Sequence, residues 1–276
     1  MRIWKYIFTL LVLVCLTIWR AVFSLEKANF HIIACNVGQG DAILAYYKTT
    51  QILVDGGPDK KVLDCLAAYL PFWDREIEAV ILTHPQKDHF FGFSYLIDRY
   101  QIDKFYLSAY SGIINNSYQT LKKKMTNKKI PLLFPMAGAK IKIINDSISF
   151  IWPTQEFLEN NLKKSFNSND YSLVFIFQEN NFRALFTGDA SPLVLSKLLQ
   201  QNNLKSNILK IQHHGSKNGL INEFLLLADP KVSVISAGKN NSYGHPHQEV
   251  LAMLKAKKTK IMRTDEEGNI VFKIRN

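Results

Sequence analysis

Six of the seven histidines in this 276-residue sequence fall in three short segments: Thr83-His-Pro-Gln-Lys-Asp-His89, Gln212-His-His-Gly-Ser216 and Tyr243-Gly-His-Pro-His247. A borderline divalent cation is held by imidazole and carboxylate donors that converge from loops distant in sequence. Any fold that uses these segments together has to bring residue 84 and residue 245 to one place. Loops gathered at one end of a sheet meet that demand, and the chemistry implied is that of a metallohydrolase.

Hydrophobic residues make up 47% of the sequence and aromatics 12%, enough for one large packed core or two small ones and too much for a disordered chain. Met1 to Lys5 is basic, an apolar run follows to Trp19, and residues 20–24 end in small side chains. This is the pattern of a secretory signal, with Val22 and Ser24 placed for cleavage after Ser24. Residues 3–23 also serve as an uncleaved membrane anchor if tilted, and both readings stand. With Arg2 and Lys5 on the cytoplasmic side, the remainder is expected to be extracytoplasmic, secreted or anchored. Cys15 reads as apolar filler of that segment. Cys35 and Cys65 are expected as buried free thiols, a disulfide between them being possible but not readable from sequence.

Three of the basic residues lie in that leader, so the exported part keeps 31 basic against 23 acidic residues. Lysine runs at 121–129, 163–164 and 255–260 concentrate the excess. Such runs are ordinarily solvated faces; Lys122, Lys123, Lys124, Lys128 and Lys129 are the candidates for phosphate-backbone contacts with nucleic acid, which would weaken steeply with salt.

Along the chain, residues 30–35, 42–47 and 51–54 read as a meander of strands, 61–70 as a helix, 77–82 as a buried strand and 90–100 as a helix. Residues 108–170, rich in Asn, Ser and Lys, read as a partly irregular insertion with short strands at 140–144 and 149–152. Strands at 172–178, 182–186, 207–211 and 232–236 then alternate with helices at 191–201, 220–228 and 246–257. Two halves of sheet with outer helices predict an α/β (α+β) chain of two packed sheets, with a leader at 1–25 and one hydrolase domain at 26–276.

The chemistry sits at strand ends. Asp55, in Val54-Asp-Gly-Gly57, is placed to orient a ligand or a bound water. His84, Asp88 and His89 supply strong donors within six residues, the most specific signal in the chain. These motifs, with Asn36-Val-Gly-Gln-Gly-Asp-Ala42, Asn169-Asp-Tyr-Ser-Leu-Val174, Phe186-Thr-Gly-Asp189 and Leu209 to Ser216, resemble the metallo-β-lactamase fold superfamily, and more closely its ComEC-type competence hydrolase domains. The resemblance covers nearly all of residues 29–276. It implies a four-layer αβ/βα sandwich, with His84, Asp88, His89, Asp189 and His245 as metal ligands and Asp189 bridging two ions. It leaves His213 or His214 to face the substrate or a metal; His214 is assigned the catalytic role, beside Asp88 and His213.

Two positions depart from the family pattern. Gln86 stands where the superfamily has histidine and ComEC-type sequences often have aspartate, and Asn169 and Asp170 supply no histidine before Ser172. Gln86 is then a weak ligand at best, and one well-held ion with a second weak or absent follows, zinc suiting the donors better than manganese. The function expected is a metal-dependent phosphodiesterase acting on DNA in uptake or scavenging, working beside a separate membrane channel protein. The rivals are a non-catalytic, metal-stabilised DNA-binding module and a hydrolase of another phosphoester such as a cell-wall choline-phosphate ester.

Overall fold

The computed structural model describes residues 2–24, 29–110, 112, 115–143, 146–161, 167–201 and 203–274. The expected boundary at 25/26 and the lysines at 163–164 lie outside the described residues. The strands are β1 (Phe30–Ala34), β2 (Ile43–Tyr47), β3 (Thr50–Val54), β4 (Glu76–Ile77), β5 (Ala79–Leu82), β6 (Gln101–Ile102), β7 (Phe105–Leu107) and β8 (Leu132–Leu133). They continue as β9 (Lys140–Ile143), β10 (Asp146–Trp152), β11 (Val174–Glu179), β12 (Phe182–Phe186), β13 (Ile208–Lys210), β14 (Val232–Ile235), β15 (Lys260–Arg263) and β16 (Ile270–Ile274). The helices are α1 (Arg2–Ser24), α2 (Lys61–Tyr69), α3 (Lys87–Phe90), α4 (Phe93–Leu96), α5 (Asn116–Asn127), α6 (Gln155–Asn161), α7 (Pro192–Leu198), α8 (Asn222–Ala228), α9 (Gln248–Ala256) and α10 (Thr264–Glu267).

Two seven-stranded sheets result, ordered β16-β1-β2-β3-β5-β7-β8 and β15-β14-β13-β12-β11-β10-β9, with a two-stranded β4-β6 beside them. Period-two alternation assigns each strand two jobs. Phe30, Ile32 and Ala34 of β1 join Phe150, Phe175 and Phe177 in a core between the sheets, where Phe30 stacks on Phe177 with centroids 4.2 Å apart. Ile33 and Cys35 turn the other way, toward α2 and the Phe90–Phe93 turn. The second sheet packs α7, α8 and α9 on its outer face through Leu195, Phe224 and Leu251. Helix, sheet, sheet, helix is the four-layer αβ/βα sandwich expected.

Several elements differ from expectation. The 108–170 stretch carries a 12-residue helix and edge strands of both sheets, because Tyr118, Leu121 and Met125 form a buried stripe at helical spacing that the surrounding Asn and Lys residues obscure. Asn115 caps that helix by accepting from the Tyr118 amide. The first helix of the histidine motif starts at Lys87, so Asp88 and His89 lie in its first turn. Beyond α9 the chain adds β15 and β16, and β16 pairs with β1 along its whole length, Phe30 opposite Ile274.

Cys35 and Cys65 are joined in a disulfide, with Cα atoms 5.9 Å apart. This corrects the expectation of free thiols. The bond depends on α2 lying over the helix-facing side of β1, a packing relation that no sequence spacing encodes.

Chain direction sets the two ends of the sandwich. β3, β5 and β7 are parallel, as are β12, β13, β14 and β15. Their C-terminal ends lead into residues 55, 83, 187, 211 and 236, all at one end. β1 is antiparallel to β2, and β2 to β3, so Phe30 starts at the other end.

Candidate metal centre

β3 delivers Asp55 with a positive φ of 55°, a conformation that aims its carboxylate across β5. There it accepts from the Thr83 amide and hydroxyl, each at 2.8 Å, and lies 2.8 Å from His89 Nδ1. With Nδ1 holding a proton for Asp55, His89 Nε2 faces the interior, 3.4 Å from Asp189 Oδ1. Two glycines permit this convergence. A Cβ on Gly40 would lie 2.3 Å from the Asp88 carbonyl oxygen, and one on Gly92 would lie 1.8 Å from that of Gly56.

The second sheet supplies the opposite wall. β12 runs into Asp189, which is 1% exposed. After β13 the backbone of His213 and His214 is left-handed, with φ of 48° and 54°. Such strain costs on the order of 1–3 kcal/mol per residue and persists where the surroundings enforce it. Here the Ser236 carbonyl holds His214 Nδ1 at 3.0 Å and turns Nε2 inward, 3.2 Å from Asp88 Oδ2 and 3.8 Å from Asp189 Oδ2.

Asp88, His89, Asp189 and His214 each offer a donor atom within 4.8 Å of the others. His84 Nε2, His89 Nε2 and both Asp189 oxygens are buried with no hydrogen-bond partner. Buried polar atoms left unpaired are costly unless an ion or water satisfies them, so this donor set fits a divalent cation. The electrostatics agree. Burial alone would raise the Asp189 pKa, yet His89, His214 and His84 hold it well below the carboxylate range. Burial alone would lower His214, yet Asp189 and Asp41 push it up to about 10. His89 is raised well above its ordinary value in the same way, by Asp189, Asp55 and Asp88 against burial. Burial and the neighbouring His89 take His84 down to about 3.

The remaining sequence candidates fall into place around this group. His213 Nε2 lies 3.9 Å from Asp189 Oδ2, on the open side, its side chain 36% exposed. His245 stands apart from the four donors. Its Nδ1 is 3.2 Å from Gln39 Nε2, and Gln39 Oε1 accepts from the Gly238 amide, which fixes the amide as donor to His245. Burial and the nearby His214 bring His245 down to about 4, so at neutral pH its single proton sits on Nε2. Gln86 is turned away from the donors: its Nε2 donates to Asn169 Oδ1 at 2.5 Å and to Ser168 Oγ at 3.0 Å. Asp170 accepts from the Ser191 hydroxyl instead of facing the centre.

The lysine run is not brought to the centre. Lys124 binds Asp98 and the Ser94 carbonyl, Lys128 binds the Ile97 carbonyl, and α5 descends toward the far end of the sandwich before β8. Two residues without an assigned role in the sequence reading are central here. Lys210 Nζ lies 2.8 Å from Asp41 Oδ2, both side chains 2% exposed, and Asp41 Oδ1 is 3.4 Å from His214 Nδ1. The signal was a lysine inside the apolar strand Ile208–Lys210.

A sequence profile described as the Metallo-beta-lactamase superfamily matches residues 35–239. The chain belongs to this superfamily. Among curated proteins it is similar to "ComE operon protein 3" of Bacillus subtilis (strain 168), 27% identical over 203 residues, 73% of this chain and 25% of that protein. It is also similar to "Recombination protein 2" of Haemophilus influenzae, 26% identical over 265 residues, 94% of this chain and 31% of that protein. The chain thus spans at most about a third of these competence proteins of the ComEC type. Among solved structures, the metallo-beta-lactamase fold protein YhfI of Bacillus subtilis aligns with a TM-score of 0.59 and 12% identity, over 88% of this chain and 99% of that one. That likeness bears on the fold.

Proposed function

We propose that this chain is an exported, metal-dependent phosphodiesterase acting on DNA in competence-related uptake or scavenging. The observation that carries the reading is the donor group Asp88, His89, Asp189 and His214, with buried unpaired atoms turned toward one another and an open side at His213 and the 31%-exposed Asp88. Those four residues would hold the cation. A bound divalent cation supplies Lewis-acid polarisation of the phosphoryl oxygens and a nucleophilic water at neutral pH. The chain's own residues do the rest. Asp55 and the Ser236 carbonyl fix the tautomers of His89 and His214, so that each presents Nε2 to the centre. His213, on the open side, would donate toward a non-bridging oxygen; neutral His245 would offer its Nε2–H as a hydrogen bond to the leaving oxygen, with water supplying the proton that the alkoxide takes.

The resemblance implies His245 as a ligand and leaves His213 or His214 to face the substrate or a metal; the distances support His214 as a ligand and His245 outside the donor group. The donors suit zinc better than manganese. The Cys35–Cys65 bond and α1 support export, since disulfides persist in oxidising compartments and α1 is long and apolar enough to cross a membrane. A separate membrane channel protein is the partner such a domain would serve. Lys122, Lys123, Lys124, Lys128 and Lys129 would touch only a strand long enough to reach the far end.

One observation favours a second reading. The Gln86–Asn169 amide pair beside His84 leaves that side without a strong donor, as expected of a metal-stabilised DNA-binding module without turnover. Hydrolysis of end-labelled single- and double-stranded DNA, with zinc or manganese restored after chelation, separates the two. Fragments lost in both Asp88→Ala and Asp189→Ala support the nuclease. Intact DNA retained on a gel at low salt supports the module, and intact unbound DNA points to another phosphoester.

A further inference from the structure

The end of the sandwich opposite the metal centre exposes two adjacent large aromatics, Phe72 at 79% and Trp73 at 63%. They follow α2, meet edge-on at 5.0 Å and belong to none of the three cores. Exposed apolar pairs of this kind mark interaction surfaces, and tryptophan in particular suits the boundary between headgroups and acyl chains.

Their position is fixed by strand register. His31 pairs with Tyr46, and Tyr46 with Gln51, one row across β1, β2 and β3. Gln51 Nε2 donates to Asp74 Oδ2 at 2.6 Å, and Asp74 directly follows Trp73. Strands lie about 4.8 Å apart, so that row spans about 10 Å from β1 to β3, and the turn that bears the aromatics hangs from β3 by the Gln51–Asp74 contact. The chain enters β1 at Phe30, six residues after Ser24 ends α1. Six residues reach about 20 Å when fully extended. A bilayer holding α1 therefore lies within reach of this end of the sandwich, whichever way the connection runs.

We propose that the end of the domain carrying Phe72 and Trp73 seats on the bilayer that α1 enters, the two rings inserting at the headgroup boundary. This rests on α1 being retained as an anchor. Charge near the turn is mixed: Lys48, Arg75 and Lys104 are exposed, but so is Glu76, with Asp74 and Asp103 half-buried beside it. Insertion of the rings, not attraction to anionic lipid, drives the contact, which follows in zwitterionic bilayers and is insensitive to salt. The seat leaves the metal centre facing away from the membrane.

The test uses the full chain reconstituted into phosphatidylcholine vesicles with Trp4→Phe and Trp19→Phe, so that the emitters are Trp73 and the buried Trp152. Acyl-brominated phosphatidylcholine should quench part of the emission, that part should vanish with Trp73→Phe, and it should persist from low salt to about 0.5 M. Protein that floats with vesicles but shows no quenching traceable to Trp73 overturns the seat and leaves the anchor intact. Quenching abolished by salt overturns insertion as its cause. Protein that does not float overturns both anchor and seat, without bearing on hydrolysis of soluble DNA.

Discussion

Lys210 and Asp41 form an ion pair 2.8 Å long in which both side chains are buried, one from β13 of the second sheet and one from the loop that leads into β2 of the first. Asp41 also donates its amide to the Asp88 carbonyl and accepts from the Gly57 amide, so the pair locks the two halves together directly beside His214.

Removing one partner of a buried pair strands a charge, a loss of about 3–5 kcal/mol. Lys210→Met is therefore expected to lower the unfolding free energy of the chelated protein by that amount, read from its urea midpoint. An unchanged midpoint would mean the pair contributes nothing. Burial works against the Asp41 carboxylate, but Lys210 and His214 hold its pKa below the ordinary value. A depressed folded-state pKa gives stability that is present above the unfolded value of about 3.9 and lost as pH falls below it. Lys210→Met should thus flatten the acid limb of the stability curve.

Cation binding should release protons. His89 and His214 have raised pKa values and carry protons at neutral pH when no ion is held, and an ion displaces them. Affinity should keep rising with pH through neutrality toward about 10, where His214 loses its proton, with on the order of two protons released near pH 7, measured by titration calorimetry in buffers of different ionisation enthalpy. No buffer dependence would contradict the ligand roles given to these two histidines.

Asp55→Asn keeps the size of the side chain but removes the anion that orients His89. A loss of about 10–100-fold in cation affinity is expected, with the fold retained. Competition against a chromogenic chelator, beside a far-ultraviolet spectrum, measures both.

Replacing Gln86 by aspartate puts an anionic donor beside His84. The bound-ion stoichiometry of Gln86→Asp, by elemental analysis after gel filtration, should rise from about one to about two per chain. A wild-type value of two would show that the Gln86–Asn169 amide pair does not restrict the site.

Reduction or Cys65→Ser opens a loop of 30 residues, at a cost of between about 3 and 4 kcal/mol by loop entropy. Denaturant unfolding with and without reductant checks this. Thiol labelling of the unfolded, unreduced chain should mark Cys15 alone.

The sandwich was legible because local patterns and global packing agree. β12 lies at 182–186 as expected, where Ala184 and Leu185 alternate between the inter-sheet core and the outer helices. What sequence hides is anything set by packing between distant segments. The Cys35–Cys65 bond, the pairing of β1 with β16 and the Asp41–Lys210 pair each join residues whose proximity exists only after the layers assemble. At the centre, Asp55, His84, Asp88 and His89 were visible as donors at strand ends, whereas Thr187-Gly-Asp189 by itself reads as a strand-end turn and only the family resemblance marks Asp189 as a ligand. The different settings of His214, inside the donor group, and His245, outside it, were not visible, because they turn on which ring nitrogen the Ser236 carbonyl and Gln39 occupy.

The pairing of Phe30 with Ile274 has a consequence for biosynthesis. The first strand to emerge waits for β16 before its outer edge finds a partner, although the rest of its sheet is already made. During that interval the edge of β1 is an open template for strand addition from any other chain, and a product stalled before residue 270 keeps it open. Chaperone capture or aggregation of nascent chains is therefore expected to depend on how soon the final five-residue strand is delivered.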